Sequence, residues 1–218
     1  MTKDEHTVVA RRAQAHVGVA ELDHAEWARA LPVRLAHYWS GAPAPAARQA
    51  EARLLWDEEG LSARFLCEQG EPLVVAGASA QRERKTIGLW ERDVCEMFVA
   101  PRADDPVRYF EFEVAPTGEW LDLALRMTAT GRETDWDFHS GMTAAARILD
   151  GSFAVAMRVP WGAFGVPAAP RAGVLWRANL FRCVGAGESR GYIAWQPTHT
   201  PEPGFHVPEK FGWLRFDV

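Results

Sequence analysis

The stretch Leu89–Gly118, LWERDVCEMFVAPRADDPVRYFEFEVAPTG, decides how this chain folds. It predicts two strands, Val94–Val99 and Tyr109–Val114, joined by a polar loop that holds Pro101, Asp104, Asp105 and Pro106. Successive strand residues point to opposite faces, so each strand splits into two parities. One parity is wholly apolar: Cys95, Met97 and Val99 in the first strand, Phe110, Phe112 and Val114 in the second. The other is mixed: Val94, Glu96 and Phe98, then Tyr109, Glu111 and Glu113. The apolar parities are expected to share a core. The opposite face then carries carboxylates among aromatics, a setting in which each needs a hydrogen-bonding or cationic partner. That face is the candidate functional surface.

The same alternation recurs on both sides of this hairpin. Ala52–Trp56 and Leu61–Cys67 flank the turn DEEG, and Ala144–Leu149 and Phe153–Val159 flank Asp150-Gly151, both hairpin signals. Further strands are predicted at Trp120–Leu125, Val174–Cys183, Tyr192–Trp195 and Trp213–Asp217. Leu22–Ala30 predicts one short helix with Asp23 as N-cap and Trp27 as buried anchor, and Pro160–Phe164 one helical turn. Residues 1–20 predict an N-terminal extension or an edge strand. Residues 127–143 read as a loop, and the proline-rich stretch 196–212 as a structured loop. Many short strands separated by turns predict an all-β chain, an antiparallel β-sandwich of jelly-roll or immunoglobulin-like type in one domain over 1–218.

Composition narrows the function. A net charge of −5 opposes general affinity for nucleic acid, which needs a basic face. No apolar run approaches the ~18 residues that span a membrane. The opening MTKDEHTVVARR lacks the apolar core of a signal peptide, which predicts a cytoplasmic location unless export follows another route. The three cysteines, Cys67, Cys95 and Cys183, all fall in strands and read as buried free thiols. Ten tryptophans is a high count for this length; some belong to the core, and a few are candidates for ligand platforms, with all-core packing as the alternative.

On strand 174–183, Arg177 and Asn179 share the parity that faces Glu96 and Glu113. Two carboxylates, a guanidinium and an amide can satisfy one another as an ion-pair network, or hydrogen-bond the vicinal hydroxyls of a sugar. Aromatic candidates flank them. Trp90 sits just before the first strand, Phe205 and His206 lie in the late loop, and Trp195 enters it; Glu111 is a further carboxylate. Each aromatic has core packing as its alternative role. Two facing aromatics over a polar base would make a small-ligand slot. Catalysis is disfavoured. Paired carboxylates are the glycosidase pattern, but a neighbouring Arg177 would keep Glu96 and Glu113 ionised rather than supply an acid. No nucleophile-elbow, zinc-protease, phosphate-loop or dinucleotide fingerprint is present.

In order, LLWDEEGLSARF, LWERDVCEMFVAP, YFEFEVAPTGEWLD, DGSFAVAMRVPW, VLWRANLFR and IAWQPTHTPEPGFHVPEKFGWLRF resemble family 9 carbohydrate-binding modules and their family 9-like relatives, over roughly residues 20–218. The resemblance implies a β-sandwich related to DOMON-type folds and a non-catalytic module that binds a mono- or oligosaccharide at a glycan end. It implies structural calcium ions too, although no D-x-D-x-D-G loop is present and the sequence assigns no metal ligands. Carried over, Trp90 is the aromatic before the family's D-x-x-E strand and Glu96 is its glutamate. Phe205 stands where the family's second clamping aromatic is usually Trp, and Glu113 where a basic residue is found. The alternative is a DOMON-like haem-binding or protein-interaction domain without sugar binding. Haem would need an axial Met or His.

Overall fold

The computed structural model describes residues 6–77 and 80–218. Among them lie fourteen strands: β1 (Thr7–Arg12), β2 (Val33–Leu35), β3 (His37–Tyr38), β4 (Ala50–Trp56), β5 (Gly60–Glu68), β6 (Val94–Ala100), β7 (Arg108–Val114), β8 (Trp120–Thr128), β9 (Gly131–Asp135), β10 (Thr143–Leu149), β11 (Ser152–Pro160), β12 (Leu175–Val184), β13 (Gly191–Ala194) and β14 (Gly212–Asp217). They form one continuous sheet in the order β10-β11-β5-β4-β1-β14-β12-β6-β7-β8-β9, with β2 added to β4, β13 to β12 and β3 to β13.

The sheet curls into a sandwich because its alternating strands must bury one face. Cys95, Met97, Val99, Phe112 and Val114 share the inner core with Phe65, Phe153, Met157, Trp176 and Phe216 from the strands that close over them. This is the face assigned to the core by the parity of the central hairpin. The other face of β6 and β7 is also covered. Phe98, Tyr109, Leu121, Leu123 and Phe181 pack there under Phe205 and Phe211 of the late loop. Every residue of β6 is therefore buried.

Three expectations needed correction. The N-terminal strand is not at an edge. It lies in the middle of the sheet, parallel to β14 through pairs such as Val8–Leu214 and to β4 through pairs such as Ala10–Leu54, so the sandwich is mixed rather than wholly antiparallel. The predicted helix shortens to one turn, α1 (Glu26–Arg29). Its N-cap is Ala25, which makes no side-chain bond, and Asp23 lies before the turn, paired with Arg147. Trp27 is its buried anchor, packed with Val17, Ala30 and Leu55. Finally, the segment read as a loop from 127 contains β9, which turns back onto β8 through Thr128–Gly131. Cys67, Cys95 and Cys183 are free and buried, as expected. No helix among the described residues is long and apolar enough to cross a membrane.

Candidate functional site

The site sits on the outer face of β6 and β7, where the late loop leaves a cavity of about 430 Å³. That volume suits a small ligand. Trp90 is carried on a single 3-10 turn, Leu89–Glu91, at the entrance to β6. Gly88 enters this turn at φ 80, a left-handed conformation that glycine adopts without penalty. Leu89 plugs into the outer cluster, and Arg190 donates to the carbonyls of Trp90 and Arg92 and, at 2.7 Å, of Gly185. Backbone and anchor are thus fixed while the indole faces the cavity.

Two aromatic pairs line the space. Trp136 tilts against Trp90, with ring centroids 6.2 Å apart and planes at 45°. Phe205 lies flat on Phe181 at 4.0 Å and meets Tyr192 edge-on at 6.0 Å. Lys85 fixes the segment that carries Trp136. Its ammonium pairs with Asp122 at 2.8 Å and donates to the carbonyls of Trp136 and Phe138.

The base is acidic. Glu96 stands opposite Glu113 across the β6–β7 ladder, and Glu111 follows two residues earlier on the same face. The three present carboxylate oxygens within 4.8 Å of one another. Glu96 and Glu111 line the cavity, whereas Glu113, fully buried, lies beneath it. Among the described residues no lysine or arginine reaches ion-pairing distance of the three; His206 stands 4.0 Å from Glu111. Burial raises all three carboxyls; neighbouring carboxylate charge adds to it at Glu96 and Glu113, whereas at Glu111 the neighbours, Arg132 among them, act against it. Glu96 is pushed up to about 8 by burial and the charge of Glu111, against the Cys183 thiol donating to it at 3.3 Å and the positive charge of Arg190. Glu113 is held well above the usual carboxylate range by burial and by the charges of Glu96 and Glu111. His206 is pushed down to about 3 by burial, with the charge of Arg132 adding, so it is neutral when its Nδ1 meets the Tyr109 hydroxyl at 2.9 Å. An all-oxygen donor set of this kind suits a hard cation rather than zinc or copper.

The predicted residues divide cleanly. Trp90, Glu96, Glu111, Phe205 and His206 meet around the cavity, with Glu113 under it. Arg177 and Asn179 do not join them. Their parity is right, but Arg177 pairs with Ala100, while Phe181 is the residue opposite Glu96. Four residues along a strand is about 13 Å. Arg177 instead covers the Trp213 ring at 4.6 Å and donates to the carbonyls of Phe211 and Glu209. Asn179 is buried and ties the late loop down, donating to the Gln196 carbonyl at 2.8 Å and accepting from its N–H at 3.0 Å. Trp195 turns to the inner core, its ring against Gly212, where a Cβ would sit only 2.5 Å away.

The lining residues that the sequence reading did not single out include Trp136, Arg132, Arg190 and Tyr192. The first two depend on β9, which the glycine at 131 after an apolar strand signals weakly. Arg190 and Tyr192 are placed by β13 pairing with β12, a contact no local pattern announces. Nothing here favours the haem alternative: Met97, Met142 and Met157 pack in the inner core, and Met127 and His206 both engage the Tyr109 hydroxyl, at 3.8 and 2.9 Å.

Solved structures share this fold. A protein from Bacteroides uniformis ATCC 8492, provisionally assigned to carbohydrate binding, superposes with a TM-score of 0.75 at 20% identity, covering 97% of this chain and 99% of that one. A family 9 carbohydrate-binding module from Caldicellulosiruptor kristjanssonii in complex with glucose gives 0.68 at 12% identity, covering 97% of this chain and 95% of that one. A module of the same family and organism in complex with cellotriose gives 0.64 at 15%, covering 97% and 93%. No curated protein matches. The profile of carbohydrate-binding family 9 matches residues 71–216, which include the central hairpin, both aromatic pairs and the late loop, and the chain therefore belongs to carbohydrate-binding family 9.

Proposed function

We propose that this protein is a non-catalytic sugar-binding module that holds a monosaccharide, or the end of a glucan, in the cavity between β6, β9 and the late loop. The observation that carries this reading is the pairing of aromatic walls with a polar base. Trp90 and Trp136, with Phe205 and Tyr192, offer planes on which the apolar faces of a pyranose ring stack. Glu96 and Glu111 offer acceptors, or a donor when protonated, for its hydroxyls. Structurally similar modules solved in complex with glucose and with cellotriose support this class of ligand.

The acidic base argues for binding rather than hydrolysis. A glycosidase flanks the scissile bond with two carboxyls on opposite sides. Here all three belong to one pair of adjacent strands and cluster together.

Calorimetry with glucose and cellotriose, alongside tryptophan fluorescence, tests the proposal. A heat of binding with a fluorescence change is expected, both lost in Trp90→Ala, and cellotriose should be recovered intact. A folded protein that gives neither signal across a panel of reducing sugars and soluble glucans would overturn it, as would release of glucose from cellotriose.

A further inference from the structure

We propose that Glu96, Glu111 and Glu113 form a binding site for one hard divalent cation of the calcium class at the base of the cavity. The spacing fits. Oxygens within 4.8 Å of one another lie at most about 2.8 Å from a common centre, within a small side-chain adjustment of calcium–oxygen bonds of about 2.3–2.6 Å. The oxygens are also available. Both carboxylate oxygens of Glu113 and Oε2 of Glu111 are buried without a hydrogen-bond partner. Buried polar atoms are normally satisfied, so each such group calls for a partner of its own.

The neighbours do not supply that partner. His206 is 4.0 Å from Glu111 and already engages the Tyr109 hydroxyl through Nδ1. Arg190 spends its guanidinium on three backbone carbonyls. Cys183 gives one thiol hydrogen bond to Glu96 Oε1. A dication would meet all three acidic groups at once, and its binding would release any proton they hold.

Access and coordination number agree. Glu96 and Glu111 open onto the cavity while Glu113 closes the site from below. Calcium takes six to eight oxygens. Three carboxylates fill part of that shell from one side, and the remaining positions face the cavity, where water or a ligand hydroxyl completes it.

Terbium, a luminescent stand-in for calcium, tests the site directly because Trp90 and Trp136 line the same cavity and can sensitise it. The full chain, stripped with chelator and kept free of sugar, should show terbium emission that saturates at one ion per chain. Excess calcium should displace it. Glu113→Gln should abolish the signal, and Glu111→Gln should weaken affinity by about tenfold or more, a loss that even an outer-shell partner of a metal can carry. Asp104→Asn, at an exposed position, should change nothing. Absence of sensitised emission from the folded wild-type protein, or full emission in both glutamine variants, overturns the proposal. If the variants do not fold, the wild type decides: its thermal midpoint should rise with calcium, and a midpoint indifferent to calcium, magnesium and manganese overturns it. No sugar enters this experiment, so its outcome is independent of the sugar-binding reading.

Discussion

Glu96 faces Glu113 directly across the β6–β7 ladder, with Phe181 on its other side and no guanidinium in between. Like charges placed opposite one another destabilise a sheet, and burial magnifies the effect. Burial and the charges of Glu96 and Glu111 push the Glu113 carboxyl toward its protonated form. Glu113→Gln keeps the size while removing the cost of holding a carboxyl in its protonated form above its ordinary value. In chelator at neutral pH it should raise the thermal midpoint by roughly 2–4 °C, the equivalent of about 1 kcal/mol in a chain of this size. Differential scanning calorimetry reads the shift, and a midpoint lowered by that amount would show that the acidic proton itself is structural.

Trp136 separates binding from stability. It is 46% exposed, so the fold does not rest on it, yet it lies against Trp90 at the cavity. Trp136→Ala should leave the unfolding free energy within about 0.5 kcal/mol. It should weaken cellotriose by about 1 kcal/mol, roughly fivefold, the scale of one aromatic contact. Trp176→Ala is the counterpart. Its ring packs against Phe216 at 4.9 Å and Trp161 at 6.0 Å in the inner core, and its loss should cost about 3–5 kcal/mol. Urea titration with calorimetric binding checks both, and equal losses of stability would refute the distinction.

The central hairpin was legible because its alternation is strict, and its inner face follows the predicted parity. The site was only half legible for the same reason. Parity gives the face on which a side chain lies but not its position along the neighbouring strand. Arg177 is on the expected face and pairs with Ala100, a register that only the assembled ladder sets. Trp136 and Arg132 come to the cavity through β9, whose five residues, Gly131–Asp135, are almost wholly exposed and carry no apolar parity to read. β1 reads locally as an edge strand because six residues of TVVARR cannot show that both flanks are paired. Information of that kind belongs to long-range pairing, not to local pattern.

Asp57 makes the β4–β5 turn sensitive to acid. Its carboxylate accepts the N–H groups of Glu59 and Gly60 at 2.9 and 3.1 Å and holds Arg158 of β11 at 2.8 and 2.9 Å. Partial burial alone would raise this carboxyl, but Arg158 and the two N–H groups outweigh it and the group is held below its ordinary value. A depressed carboxyl contributes stability that is complete above its unfolded value and is lost as pH falls through the folded one. Stability should therefore decline in the acid range below the ordinary aspartate value. Asp57→Asn should lose about 1 kcal/mol at neutral pH and show a shallower decline. Urea midpoints measured across the acid range check this, and an unchanged slope in the variant would remove Asp57 from the account.

Val8 reports on the central position of β1. It is fully buried in the inner core, and its backbone runs parallel to β14 at Leu214 while Ala10 pairs with Leu54 of β4. A strand at the edge tolerates substitution, because it can detach while the remaining sheet holds. A strand that joins β14 to β4 cannot, since its loss opens a seam through the sheet and exposes both neighbours. Val8→Ala should cost about 1–2 kcal/mol through the methyl groups removed. Val8→Asp places an unpaired carboxylate among apolar side chains and should abolish cooperative folding, with loss of the near-ultraviolet dichroism that the packed tryptophans generate. A soluble Val8→Asp protein with the wild-type spectrum and midpoint would mean that the sandwich closes without β1, and that the joint between its two halves lies elsewhere.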